Sequence, residues 1–513
     1  MRDKNQVVLP IDLEICIPKE DFVFKVAEIC ESLEYSELFA TYVRVWRKVN
    51  PITMFEILVF GYMEHLYSGR DIAKACRTDI RFIWLLNGEP APSHATISRF
   101  QDERLKEVME GLFYQFVEKL YEMKEIEFKN LFVDGTKIEA NANRYTFVWK
   151  KVVEKNLEKL NKKIENTLSV IADRYGFYEN IDLEKCYESL LRQAQWVNLE
   201  FACGKGKKKT QLQRDIETLA EYMNKQNEYF FHLGKFGNRN SYSKTDTDAT
   251  FMHMKEDHMR NGQLKPGYNV QIGVESEYIV GVGAFSNRTD VNTLIPFLKR
   301  IRSHTRRLFE RIIADAGYES GENYLYLKET GQTCFIKPQN YEISKKKTYK
   351  ANPYSFENMP YNEKRDEYTC PGGRKLKFVK EKKSTTENDY EIITKYYANE
   401  RCGRCPYKDK CHHSKKGYRT MQVNQAIREY RPKALEALTT ENGIFLRVNR
   451  SIQVEGAFGI LKENYGFRRF LVRGKQNIET QFFLLAFAFN IEKLCNRAKK
   501  ERKGQHLFCL EED

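Results

Sequence analysis

Residues 130–144 read NLFVDGTKIEANANR. The run Leu131-Phe132-Val133 has the composition of a buried strand, yet it leads straight into Asp134 and then Gly135-Thr136-Lys137. An ionised carboxylate is costly to bury alone, so the charge on Asp134 needs an outlet. A turn, a salt bridge with Lys137 and ligation of a cation are the three that the local sequence allows. The pattern returns at RIIADAGYES (311–320), where Ile312-Ile313-Ala314 runs into Asp315 and a Gly turn. Each acid is expected to terminate its strand.

The elements between and around these stretches give the two acids a common frame. KPGYNVQIGVESEYIVGVGAFSN reads as a hairpin with a Glu-Ser-Glu turn. In NRTDVNTLIPFLKRI, Asp290 is placed to cap a helix, and TCFIKPQN supplies a fifth strand. Three strands, a helix and two further strands form the order of an RNase H-like core, whose first and fourth strands are neighbours. Asp134 and Asp315 would emerge side by side, and like charges so placed repel unless a cation holds them. Glu455, among small and apolar residues in RSIQVEGAFGILK, is the candidate third acid. Oxygen ligands alone suit Mg2+ or Mn2+, and two such ions ~3.5–4 Å apart serve phosphodiester chemistry. The bland alternative is two strand-end turns and a salt-bridged Glu.

The fold class expected is α/β: an RNase H-like mixed-sheet catalytic core with an all-α N-terminal domain and two insertions, a helical hairpin and a Cys-rich zinc-binding segment. The division runs 1–125 (helical, DNA-binding), 126–149 (first core strand), 150–240 (hairpin insertion), 241–340 (core continued), 341–440 (Cys-rich insertion), 441–500 (C-terminal helices with the third acid) and 501–513 (polar tail). The hairpin rests on Val153, Leu157, Leu160, Ile164, Leu168 and Ile171, repeated by Leu212, Ile216, Leu219 and Met223. Its basic loop, GKGKKKTQ at 204–211, would touch DNA or simply be solvated.

In the N-terminal part, the breaker EPAPS precedes HATISRF, with Ser93 as N-cap. A helix opening with Ser93, Thr96 and Arg99 after a short turn would suit a helix-turn-helix on DNA; an ordinary αα-corner is the alternative. Over 513 residues the formal net charge is +14, which favours a polyanionic partner such as nucleic acid or reflects a solvated basic surface. No segment approaches the ~18 apolar residues of a membrane span, and FFLLAFAF (482–489) is much too short. No signal-peptide pattern opens the chain. A soluble, cytoplasmic protein is expected, with most of its 12 cysteines reduced in apolar surroundings.

Cys370, Cys402, Cys405 and Cys411 stand apart from those, in one polar region. Cys402-Gly-Arg-Cys405 is a CxxC knuckle, and four thiolates make a tetrahedral Zn2+ set that would clip a segment with little core of its own. His412 or His413 could replace Cys411. No thioredoxin-like context surrounds the CxxC.

FVDGTKIEANANR, SKTDTDATFMHMKEDHMRNGQLKPGYNVQIGV, IIADAGYES and VEGAFGILKENYGFRRFLVRGK together resemble the bacterial insertion-sequence transposases of the DDE class. The resemblance implies an RNase H-like core, a catalytic triad of Asp134, Asp315 and Glu455 with two Mg2+ or Mn2+ ions, and DNA cleavage and strand transfer at terminal inverted repeats. It implies double-stranded DNA as partner (terminal repeats and target), a homodimer or higher assembly on that DNA, and association with the nucleoid. In the family's Tyr-Arg-Glu-Lys signature six residues separate Glu from Lys, and Lys462 fits. Arg450 lies one step further from Glu455 than the signature's Arg, and no Tyr stands upstream, which leaves Arg450's role open. Arg468, Arg469, Arg473 and Lys475 continue a basic run with Tyr465, Phe467 and Phe470 interleaved, suited, with Lys137, to phosphate contacts. The rival reading is an inactive or domesticated DNA-binding regulator derived from such a transposase; the presence of all three acids argues against it.

Overall fold

The computed structural model describes residues 13–42, 49–177, 182–204, 208–254, 262–399, 402–403, 405–415 and 417–508. Residues 205–207 of the basic loop lie outside them. The chain divides into two compact units, Met1–Glu139 with Tyr268–Asp513, and Ala140–Gly267.

The first unit is mixed α/β. Its sheet is made of β1 (Asn130–Glu139), β2 (Leu264–Glu275, from Tyr268 onward in this unit), β3 (Tyr278–Phe285), β4 (Arg311–Ala314) and β5 (Thr333–Ile336), in the order β3-β2-β1-β4-β5. The β1–β4 and β4–β5 pairs are parallel and the β2–β3 pair antiparallel. Ser276 and Glu277 turn the β2–β3 hairpin with φ of 54° and 69°. Two left-handed residues in succession match the twist of the flanking strands, so the Glu-Ser-Glu turn stands where the sequence placed it.

β1 departs from expectation. It does not stop at Asp134 but runs on to Glu139, and its pairing with β4 ends at Val133↔Ala314. On a continuing strand, residues three apart face opposite sides, so Lys137 cannot neutralise Asp134. Asp290 is not a helix cap either. Thr293 precedes the helix Leu294–Thr305 without a side-chain cap, and only the Asp290 carbonyl is used there, accepting from the Thr293 amide (3.0 Å) and hydroxyl (2.7 Å).

The C-terminal helix covers the sheet at β3, and helices from the N-terminal end pack on it in turn. Lys475–Lys499 is buried on almost all sides through its FFLLAFAF centre, as befits a core helix. Phe487 packs against Phe55 and Phe116 with ring centroids 5.4 and 4.7 Å apart. Asn490 satisfies its buried amide on the Ile279 N–H (2.8 Å) and carbonyl (2.7 Å) of β3. Among the described residues no helix is long and apolar enough to cross a membrane.

Between residues 361 and 424, five described strands form an antiparallel sheet over a small core of Met359, Tyr368, Leu376, Tyr397, Met421 and Val423. The helix Gln425–Thr439 then returns to the main sheet, packing on β5 and on the helix Gly321–Glu329. In the second unit, the expected two-helix hairpin has a third helix. Between Lys150–Tyr175 and Gln211–Phe236 lies Leu183–Trp196, whose Cys186, Leu190 and Ala194 share a core with Ile171, Ile216 and Leu219. In this unit Thr250–His253 pairs antiparallel with residues 264–267.

Arg300, on the helix Leu294–Thr305, ties three helices of the first unit. It pairs with Glu110 and with Glu479 (2.7 Å), and His304 also reaches Glu110 (3.1 Å). Burial alone would raise the Glu110 carboxyl, but hydrogen bonds from Arg300 and His304 hold it down to about 2. The folded value lies below the unfolded one, so this stabilisation is complete above the ordinary Glu range and lost as pH falls toward 2. Glu110→Gln should therefore lower stability at neutral pH by about 1–3 kcal/mol. Its denaturation midpoint should converge with the parent's between pH 4.5 and 2; a gap independent of pH would refute the linkage.

Candidate active site

The last β1–β4 pair, Val133↔Ala314, sets Asp134 and Asp315 at the next level of two neighbouring parallel strands. Strands pair at about 4.8 Å, so the two carboxylates leave the sheet together. Asp134 is 9% exposed, and its Oδ1 accepts from the Gly135 amide at 2.8 Å. Asp315 Oδ1 accepts from the Gly317 amide at 2.8 Å and caps the short turn Ala316–Tyr318.

A third aspartate, which sequence reasoning missed, enters between them. Asp290 Oδ1 accepts from Asn269 Nδ2 (2.7 Å) and Gln271 Nε2 (2.9 Å), both on β2. A Cβ added at Gly135 would lie 2.7 Å from Asp290 Oδ1 and 2.2 Å from Gln271 Nε2. One added at Gly317 would lie 3.3 Å from Asp290 Oδ2 and 3.0 Å from Asp315 Oδ1. The two glycines that follow the acids thus leave the room that the Asp290 carboxylate fills. Beneath them, the fully buried Tyr318 donates to Gln271 Oε1. Burial, and then the charges of Asp290, Asp134 and Asp315, keep its hydroxyl protonated, with Arg450 opposing.

Glu455 ends a wide helical turn, Ser451–Glu455, that continues the helix Glu441–Arg450. Its side chain is 58% exposed. Arg450, 16% exposed, spans from Asp134 Oδ2 (3.6 Å from Nη1) to Glu455 Oε1 (3.5 Å from Nη2). The cation beside Asp134 is thus a guanidinium brought from far along the chain. Among the described residues, no three His, Cys, Asp or Glu side chains are gathered closely enough to hold a metal ion. The donors are nonetheless carboxylate oxygens, the kind such an ion takes, and a guanidinium already sits beside Asp134.

A second wide turn, Ile460–Asn464, follows Gly456–Gly459 and carries Lys462. The interleaved Tyr465, Phe467 and Phe470 are buried. Tyr67 holds this segment, donating to the Tyr465 carbonyl (2.7 Å) and packing edge-on to Phe467. Arg468, Arg469, Arg473 and Lys475 are exposed, and Arg468 pairs with Glu463 at 2.7 Å. On the N-terminal side, Ser93 caps His94–Arg99 through the Thr96 amide (3.2 Å). Ser93, Thr96 and Arg99 are exposed while Ile97 faces the core.

The four cysteines line one small cavity of about 20 Å³ with His412 and Arg419. Cys402 Sγ donates to the Asn399 carbonyl (3.1 Å), and the Arg419 guanidinium donates to Cys411 Sγ (3.6 Å). Burial raises the Cys411 thiol and Arg419 opposes it. His412 Nε2 is buried with no hydrogen-bond partner.

The clearance around Gly135 gives a direct check. Gly135→Ala should destabilise the protein by about 1–3 kcal/mol through overpacking, whereas Gly459→Ala, where an added Cβ meets nothing, should not. Thermal melts that fall equally, or not at all, would show that Asp290 is not held in that space.

Two family models match the chain. Residues 369–495 match the Transposase DDE domain and residues 11–103 the Transposase domain (DUF772). The first stretch contains Glu455 and the four cysteines and leaves Asp134 and Asp315 outside it; the second contains Ser93, Thr96 and Arg99. No curated protein and no solved structure matches. Two transposase domains at opposite ends of one chain support its placement among the insertion-sequence transposases of the DDE class.

Proposed function

We propose that the protein cleaves and joins DNA at the terminal inverted repeats of an insertion sequence, with Asp134, Asp315 and Glu455 as its catalytic acids. The observation that carries this reading is the juxtaposition of Asp134 and Asp315 on parallel strands, with Arg450 joining the first acid to Glu455. The strand order β3-β2-β1-β4-β5 supports an RNase H-like core.

Asp134, Asp315 and Glu455 would hold two Mg2+ or Mn2+ ions. The chemistry such ions supply is activation of a water or 3′-hydroxyl and stabilisation of the leaving oxygen. Arg450 keeps Asp134 neutralised in the resting site and is placed to move onto a phosphate when its carboxylate partners are otherwise engaged. Arg468, Arg469, Arg473 and Lys475, with Lys462 and Lys137, would grip backbone around the scissile phosphate. The exposed Ser93, Thr96 and Arg99 would read base edges at the element ends, on a dimer or higher assembly that brings two ends together.

Cleavage and binding measured on end-containing and random DNA test these assignments together. Asp134→Asn, Asp315→Asn and Glu455→Gln should each abolish Mg2+-dependent nicking, by at least about a hundredfold, with DNA binding kept. Arg99→Ala should instead narrow the gap between the two DNAs. Nicking that survives the acid substitutions would sink the triad, and binding without nicking by the parent chain would favour the regulator.

Cys370, Cys402, Cys405 and Cys411 would hold a structural Zn2+, a reading supported by their shared cavity and the unpartnered His412 Nε2. Metal analysis should find one zinc per chain, and chelation should lower the melting temperature. Zinc-free protein of unchanged stability would count against the site.

A further inference from the structure

The helix Glu441–Arg450 and the wide turn Ser451–Glu455 carry both Arg450 and Glu455. A turn wider than the α-helical one is a local exception, and here contacts from outside the helix hold it. Two buried side chains, Asn449 and Gln453, make them. Asn449 donates from Nδ2 to the Phe508 carbonyl (3.1 Å) and accepts at Oδ1 from the Phe508 amide (2.9 Å). Gln453 donates to the His506 carbonyl (3.3 Å) and accepts from the Glu277 amide (3.0 Å).

The tail that receives these bonds is itself fixed. Arg497 donates to the carbonyls of Arg502 (3.0 Å) and Gln505 (2.7 Å). His506 Nδ1 lies 2.9 Å from Ser276 Oγ in the β2–β3 turn, and its Nε2 lies 3.4 Å from Glu127, just ahead of β1. Arg502 stacks over the Phe508 ring at 4.7 Å and pairs with Glu277 at 3.1 Å. Chain ends are poorly ordered unless tied down, and this one is tied at Arg502, Gln505, His506 and Phe508. Residues 505–508 therefore run between the entry to β1, the strand of Asp134, and the helical segment of Glu455.

We propose that residues 505–508 are a strap that sets the position of Glu455 relative to Asp134, with Asn449 and Gln453 as positioning residues acting through it. The proposal rests on the reading of Glu455 as a catalytic acid and adds the device that holds that acid in register. Without the strap, Asn449 loses both bonds to Phe508 and Gln453 loses the His506 carbonyl. The wide turn is then free to relax to the α-helical repeat, which rotates Glu455 about the helix axis. A misplacement of about 1 Å at a reacting group costs about a hundredfold in rate.

Three variants of the full-length chain test this. Phe508→Pro removes the amide given to Asn449 at a tail position, Phe508→Leu keeps both backbone bonds, and Gln453→Ala removes the contact within the turn. The first readout is amide hydrogen exchange without DNA or metal. In Phe508→Pro and Gln453→Ala, exchange across residues 451–455 should quicken about tenfold, the worth of one hydrogen bond. β4 and β5 should keep the parent rate, and Phe508→Leu should behave as the parent does. The second readout is Mg2+-dependent nicking, where Phe508→Pro should lower kcat about ten- to a hundredfold with DNA affinity unchanged. Unchanged exchange at 451–455 would overturn the proposal, as would equal quickening in β4 and β5 or equal losses in Phe508→Leu. Undiminished nicking by Phe508→Pro, in a chain whose parent nicks, would overturn it too. A parent that never nicks DNA, with the exchange pattern as expected, would defeat the catalytic reading and leave the strap standing.

Discussion

Asp134 and Asp315 leave two neighbouring parallel strands, Asp290 lies in the room left by the glycines that follow them, and the guanidinium of Arg450 stands beside Asp134. Neighbouring like charges are costly without hydrogen bonds or a counter-charge, and the surrounding structure supplies both. Gly135 and Gly317 give up their side chains so that the Asp290 carboxylate fits. Asn269 and Gln271 spend their amides on it. Tyr318 closes the floor with a hydroxyl that the neighbouring charges keep protonated. The counter-charge itself comes from a helix more than a hundred residues further along the chain.

That distance explains the weight of connections between the C-terminal segment and the rest of the first unit. Arg497, 2% exposed, reaches Glu125 at 3.2 Å and the Ser276 carbonyl at 2.7 Å. Asn490 completes the hydrogen bonding of β3, and Arg300 bridges Glu110 to Glu479. Glu275 holds the start of β1 by accepting from the amides of residues 127–130 at 2.8–3.2 Å. A site assembled from distant segments keeps its geometry only if each is fixed to the same scaffold. Buried, hydrogen-bonded charge pairs do this with directional precision that apolar contacts lack.

The Cys-bearing segment follows the same logic. Among the described residues its own core cluster is six buried side chains, which is little for a module of that length. Its attachment through Arg431 and Glu319 makes it part of the frame that carries Asp315. A domain that looks like an appendage in sequence is thus tied to the turn that carries Asp315, and the family match that begins within it runs on through Glu455.

What the sequence determined by itself were the features written in local chemistry. An apolar run leading into an acid, twice, marked the two strands at which Asp134 and Asp315 lie; a Glu-Ser-Glu turn placed the hairpin; Ser93 before His94 placed a helix start. Each depends on residues within a few positions of one another, so composition and spacing suffice. Tertiary structure alone decided the rest. β1 runs through Asp134 because its partners on β2 continue after β4 has ended. Leu183–Trp196 is a helix because Cys186, Leu190 and Ala194 find a core in two other helices. Asp290 joins the acids through a carboxylate pocket that no local pattern records. Periodicity and caps are short-range quantities, whereas the position of a charge is set by whichever distant groups can neutralise it.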